Sequence, residues 1–189
     1  GNVEVPGVTV LVADLRDALA CRRVVRAARP DILLHLGART EVAESFTAPL
    51  DFFHVNACGT ATLAEAVVAE HPALRLFLFA SSMEVYGVQP PPWAPFDEAT
   101  PPAPNAPYAV AKLAAEYYVR YLGQVRRLPW CILRQTNTYG RTRSDYFVVE
   151  RILSQMVAGG EVKLGASEPI RNFLYIEDLV DLYETIVEA

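Results

Sequence analysis

The run Leu76-Phe77-Leu78-Phe79-Ala80 constrains this chain more than any other five residues. It carries no polar alternation, so it reads as a strand buried on both faces, and it is too short and too rich in β-formers for a helix. A strand of that kind lies inside a parallel sheet covered by helices. It empties into Ser81-Ser82-Met83-Glu84-Val85-Tyr86-Gly87. In open α/β sheets ligands lie just beyond the carboxyl ends of the strands. Two hydroxyls and a carboxylate are therefore delivered where a ligand would sit. A Pro-rich excursion over residues 90–107 follows, and Pro107-Tyr108-Ala109-Val110-Ala111-Lys112 then opens a helix. Tyr108 and Lys112 are four apart, so a helix places them on one face.

The remaining segments alternate in the same way. Residues 8–13 form an apolar run that predicts a strand, and Asp17 is placed to cap a helix over 18–28 that stops at Pro30. Residues 31–36 predict a second buried strand ending at Gly37-Ala38. A long helix is expected over 49–70, a helix from 108 to about 122, and a strand at 130–134 running into Gln135-Thr136-Asn137. Beyond it, 146–157 predicts a helix, 161–164 and 171–176 short strands, and 177–189 a closing helix. The fold class is thus α/β, a doubly wound parallel sheet. At 189 residues the chain suits one well-filled core.

The Tyr108–Lys112 pair has an electrostatic use. A phenol near pKa 10 is a poor base at neutral pH, and lowering it by about three units needs roughly 4 kcal/mol of preference for the phenolate. One ammonium roughly 4 Å away, at an effective dielectric near 20, supplies energy of that order. Ser82 would then hold the hydroxyl whose proton Tyr108 takes. Tyrosine and lysine at this spacing also occur on ordinary amphipathic helices; the strand ending in Ser81-Ser82 and followed by Val85-Tyr86-Gly87 is what favours the chemical reading.

Taken together, SSMEVYG and PYAVAK resemble the extended short-chain dehydrogenase/reductase family, in particular its NAD-dependent nucleotide-sugar epimerases and dehydratases. The resemblance covers nearly the whole chain. It implies a Rossmann-like sheet binding NAD or NADP, a nucleotide-diphosphate sugar as partner substrate, and a homodimer formed through the 49–70 and 108–122 helices. It assigns catalysis to Ser82, Tyr108 and Lys112. On the cofactor side it places Asp14 (against adenine), Leu36, Gly37 and Ala38, Ser81, Tyr108 and Lys112, and Gln135. Asn137 and Arg171 fall on substrate-binding positions facing the nucleotide diphosphate. Asp14 reads equally as a turn or helix cap, and Arg171 has a salt bridge to a helix carboxylate such as Asp178 as its alternative to the diphosphate. Arg39 stands where the family has a small residue, free to reach a phosphate or to be solvated, and Asn56 reads as a hydrogen-bonder to nearby backbone.

The family's fold opens with a strand, a glycine-rich turn and a helix, and no GxGxxG run occurs in this sequence. The chain therefore reads as a Rossmann-like sheet lacking the first βαβ unit: a single domain over 1–189, truncated at both ends, with 141–172 contributing to a substrate-binding lobe.

Composition narrows the partners. A net charge of −5 argues against a nucleic-acid binder. Cys21, Cys58 and Cys131 are odd in number and widely spaced, which fits reduced thiols in a cytoplasmic protein rather than a disulfide framework or metal site; His35, His54 and His71 share no ligand spacing. No run reaches the length of a membrane span.

Glu84 bears on the reaction. In the family, 4,6-dehydratases carry a glutamate two places after the catalytic Ser/Thr, and simple 4-epimerases usually do not. Oxidation at C4 acidifies the C5 proton, and a carboxylate in reach can remove it before water leaves from C6. Glu84 also reads as a carboxylate paired with a neighbouring cation. Met83 departs from dTDP-glucose-type dehydratases, which place an acid there. The expectation is nucleotide-sugar 4,6-dehydration, with 4-epimerisation or 4-keto-sugar reduction on the same fold as the alternative. A non-catalytic Rossmann-like binding or assembly module is the other class.

Overall fold

The computed structural model describes residues 6–88, 95–141, 146–159, 161–165 and 170–189. Residue 89 and residues 90–94 of the Pro-rich excursion, and 142–145, 160 and 166–169 of the 141–172 segment, lie outside the described residues. The chain divides into two compact units, 1–134 and 135–189.

In the first unit, the elements are α1 (Ala18–Ala28), β1 (Ile32–His35), α2 (Val42–Ser45), α3 (Pro49–Phe52), a π-helical segment (Phe53–Cys58), α4 (Gly59–Glu70), β2 (Leu76–Ser82), a 3-10 turn (Met83–Tyr86), α5 (Pro107–Arg126) and β3 (Trp130–Gln135), whose last residue opens the second unit. The sheet order is β1-β2-β3, and β1 pairs in parallel with β2 in the register Ile32 to Leu76 through His35 to Phe79. β2 is central, as its composition demands. Phe77, Leu78 and Phe79 are fully buried, so neither face of the strand meets water. Burying each such side chain contributes about 1.5–3 kcal/mol. Phe77 and Phe79 join the core, packed with Cys21 and Val25 of α1, Ala64 and Val67 of α4, and Ala115, Val119 and Leu122 of α5.

Local signals explain the boundaries. Asp17 caps α1, its carboxylate accepting from the Leu19 and Ala20 amides. Pro107 starts α5 at a position where its missing N–H costs nothing. The expected 49–70 helix forms as three consecutive pieces, with the π segment between α3 and α4. Gly59 opens α4 where a Cβ would lie 2.9 Å from the Leu15 Cβ, so glycine lets the helix meet that loop.

Residues 8–13 do not form the expected strand. They join no ladder among the described residues, and Val8, Val10, Leu11 and Val12 are exposed. β-propensity supplies no hydrogen-bond partner; without a neighbouring strand the apolar run stays unpaired.

In the second unit, β4 (Asn137–Tyr139) pairs in parallel with β5 (Phe173–Tyr175), and α6 (Val148–Ala158) and α7 (Ile176–Glu188) complete it. Residues 161–164 are not a strand. The Gln155 side chain on α6 takes both backbone groups of Lys163, accepting its N–H at 2.8 Å and donating to its carbonyl at 3.2 Å, which leaves that residue nothing to give a ladder. Among the described residues no helix is long and apolar enough to cross a membrane.

Candidate active site

Three consecutive residues at the end of β2 meet three residues spaced by four along α5. Lys112 donates its amine to the Ala80 carbonyl at 2.8 Å. Ser81 donates its hydroxyl to Glu116 at 2.5 Å. Ser82 shares a hydrogen bond with Tyr108. Positions 108, 112 and 116 lie on one helical face because four residues make slightly more than one turn. The strand end and that face are buried: Tyr108, Lys112, Glu116, Ser81 and Ser82 are all nearly sealed from solvent.

Ser82 has two tasks. It caps the 3-10 turn, accepting the Glu84 N–H at 3.2 Å, so its own proton is available for the Tyr108 oxygen. The turn ends at Gly87 with φ +63° and ψ −151°, and Ala103 of the returning Pro-rich segment donates its N–H to the Val85 carbonyl at 3.0 Å. This brings Glu84 within electrostatic reach of Tyr108.

The phenol is not brought down here as the charge argument expects. Burial pushes the Tyr108 pKa up, with the Ser82 hydrogen bond working against that rise and the Glu84 charge adding to it. The Lys112 amine lies 6.0 Å from the Tyr108 ring centre and 4.9 Å over the Phe79 ring. Burial lowers its own pKa to about 8, and the Glu116 charge counters that. An ammonium has three donors, and among the described residues only the Ala80 carbonyl takes one. Two buried N–H bonds remain to face a polar ligand.

The other cofactor-side positions sit at the ends of the flanking segments. Leu36, Gly37 and Ala38 leave β1, and a Cβ on Gly37 would lie 3.2 Å from Leu15. Asp14 is exposed and gripped by the Arg16 guanidinium through contacts of 2.6–3.1 Å, which hold its carboxyl down at about 2. Arg39 is tied to Glu44 and to Asp51, at 3.5 Å from the latter, and its guanidinium lies over Phe52, so it is partly exposed and already paired with carboxylates. Asn56 accepts the Arg39 N–H at 2.8 Å and donates to the Arg39 carbonyl at 2.9 Å, bracing the loop after β1.

Sequence reasoning passed over Glu116 and Arg134. Arg134 grips the Glu116 carboxylate through Nε at 3.0 and 3.2 Å and through a terminal nitrogen at 2.7 Å, and its guanidinium stacks 4.8 Å over the Tyr86 ring. Glu116 was recoverable from its place one further turn along the Tyr108–Lys112 face; Arg134, on another element, was not.

In the second unit, Gln135 accepts the Tyr183 hydroxyl at 2.8 Å. Asn137 reaches the Asn172 carbonyl at 3.5 Å. Arg171 is exposed; among the described residues it has no carboxylate partner, Asp178 included, and donates only to the Ile170 carbonyl. No group of metal-ligating side chains occurs among the described residues.

The profile of the NAD dependent epimerase/dehydratase family matches residues 2–189. The dTDP-D-glucose 4,6-dehydratase of Homo sapiens is 31% identical over 176 residues, covering 93% of this chain and 49% of the relative. The chain thus spans about half the length of the curated relatives it matches. Among solved structures, the UDP-glucose 4-epimerase of Thermus thermophilus in complex with NAD superposes with a TM-score of 0.87 at 27% identity, over 98% of this chain and 62% of that one. The UDP-glucose 4-epimerase of Thermotoga maritima with UDP-glucose gives 0.86 at 28% identity, over 93% and 58%.

Proposed function

Since this chain belongs to the NAD dependent epimerase/dehydratase family, we propose that it carries the catalytic face of an NAD(P)-dependent enzyme acting on a nucleotide-diphosphate sugar, with 4,6-dehydration as its reaction. NAD, when bound, accepts and returns a hydride. The two spare N–H bonds of buried Lys112 fit a ribose hydroxyl of such a cofactor. Leu36, Gly37, Ala38, Ser81 and Tyr108 would stand beside it, with Asp14 toward the adenine. The sequence holds no glycine-rich turn for the pyrophosphate. In the second unit, Gln135 is proposed for the cofactor, and Asn137 and Arg171 for the nucleotide diphosphate, a forked guanidinium suiting phosphate oxygens.

Within this reading Ser82 holds the sugar C4 hydroxyl, and Tyr108 takes its proton as general base. Burial alone opposes that step, because it favours the neutral phenol. The Ser82 hydrogen bond and positive charge at Lys112 are what this chain sets against it. Glu84 then removes the C5 proton.

The observation that carries the dehydratase reading is the placement of Glu84, on a turn capped by Ser82 and close enough for its charge to act on Tyr108. One substitution tests it. With dTDP-glucose as probe, Glu84→Gln should still oxidise C4, seen as absorbance of the reduced cofactor, while the 4-keto-6-deoxy product falls about 10²–10⁴-fold. Unchanged product formation would refute the role. Met83 favours the second reading, a 4-epimerase: it puts a thioether where an acid would assist loss of the C6 hydroxyl. In an epimerase Glu84→Gln would leave turnover nearly unaltered.

We further propose a homodimer. Leu50 and Phe53 line one apolar depression with Pro107 and Val110 of α5, and Tyr117 and Tyr121 extend the same stripe outward. A second copy would cover these exposed side chains.

A further inference from the structure

Glu116 has no task in the chemistry above, yet few groups in the molecule are as deeply committed. Its side chain is 1% exposed, it lies one turn beyond Lys112 on the same face of α5, and it takes hydrogen bonds from two other elements of the sheet. A buried carboxylate is costly unless paired and fully hydrogen-bonded, and this one is both. Replacing such a pair by apolar groups is often neutral for stability, so stability does not by itself account for it.

We propose that Glu116 is a positioning residue for Lys112. It acts in two ways, by tethering the strand end that receives the amine and by supplying the buried counter-charge nearest to it along α5. The tether runs through Ser81. Ser81 is the residue after Ala80, whose carbonyl holds the amine, and the residue before Ser82, which holds Tyr108. Fixing Ser81 to α5 therefore fixes both of its neighbours against the same helix. Arg134 on β3 in turn sets the carboxylate, gripping it from the side with both nitrogens of its fork.

The titratable and charged groups near the amine sit on four elements. On α5 there are Tyr108 and Glu116; Glu84 lies on the 3-10 turn; His35 on β1 is neutral at pH 7 because burial, with a contribution from Lys112 itself, holds its pKa near 4; Arg134 on β3 faces Glu116. Arg120, 3.8 Å from Glu116, is half-exposed and adds a weaker cation. Glu116 is the group whose charge supports the ammonium against burial.

The sequence makes a direct test possible, because it contains only two lysines, Lys112 and Lys163. Protein labelled with ε-13C lysine gives two resonances, and Lys163→Arg assigns them. The titration midpoint of Lys112 should fall by about one pH unit in Glu116→Gln, since an opposite charge is lost. It should rise in Arg134→Met, where the carboxylate is left uncompensated, and return toward the parent value in the double variant, which also removes the unpaired buried charge if a single variant folds poorly. Ser81→Ala keeps the charges and loses the tether, so its midpoint should stay while kcat falls several-fold. A midpoint that ignores Glu116→Gln, or moves the same way in both single variants, overturns the proposal. This inference rests on the functional reading for its purpose but not for its readout. A parent protein without nucleotide-sugar activity would sink that reading and leave the titration standing. An active parent with an unmoved Lys112 would sink only this inference.

Discussion

Gly87→Ala is the sharpest structural test of how the site is assembled. Gly87 closes the 3-10 turn that carries Glu84, at φ +63° and ψ −151°, a region that residues with a side chain almost never occupy. Forcing alanine into it costs about 1–3 kcal/mol. A Cβ there would also lie 1.8 Å from the Ala103 carbonyl oxygen and 2.8 Å from its carbon. Those are backbone atoms, so the returning segment must move and surrender the Ala103–Val85 hydrogen bond, about 1 kcal/mol more. The combined cost is about 2–4 kcal/mol, or roughly 10 °C in Tm for a protein of this size. Gly159→Ala is the control. It too has positive φ, at +70°, but nothing lies within 4 Å of its Cβ, so it should lose only about 1–2 kcal/mol. Thermal unfolding followed by circular dichroism gives both values. If Gly87→Ala melts no lower than Gly159→Ala, the packing of the returning segment on the turn is not as described.

Two further outcomes follow from the same structure. His35 is 4% exposed, donates from Nε2 to Thr60 at 2.9 Å because the Thr60 hydroxyl is itself given to the Asn56 carbonyl, and burial holds its pKa at about 4. The unfolded chain binds a proton at about 6.5 that the folded one refuses, so stability is full above pH 6.5 and about 3 kcal/mol is lost as pH falls toward 4. Denaturant unfolding at pH 7.5 and pH 5 should show about 2 kcal/mol of that loss in the parent and little of it in His35→Gln; equal losses would contradict the assignment. For the proposed homodimer, Val110→Glu places a charge on an exposed apolar stripe and should convert dimer to monomer by light scattering with Tm nearly unchanged; a monomeric parent, or a dimer indifferent to the change, would refute the surface.

How much of this was legible in the sequence varies with the range of the interaction. Phe77, Leu78 and Phe79 declare a doubly buried strand by composition alone, and β2 is that strand. Tyr108 and Lys112 share a face because helical geometry is local. Where the outcome depends on a distant partner, the sequence falls short. The 8–13 run has the residues of a strand and no neighbour to pair with, and 161–164 has its Lys163 backbone groups drawn off by Gln155. The π segment within the 49–70 helix leaves no mark in the periodicity. In the protein alone the Tyr108 pKa rises instead of falling, because burial of the phenol and the Glu84 charge outweigh the Ser82 hydrogen bond, and the Lys112 amine lies 6.0 Å from the ring centre.

The most direct measurement concerns Tyr108. Rapid mixing of the protein and NAD with the sugar nucleotide named above should give a transient at 340 nm in the parent. In Tyr108→Phe that transient should slow by about 10²–10⁴-fold while NAD still quenches protein fluorescence with a midpoint shifted by no more than about tenfold, the cost of one lost hydrogen bond. Reduction of the cofactor at the parent rate without the Tyr108 hydroxyl would contradict the account.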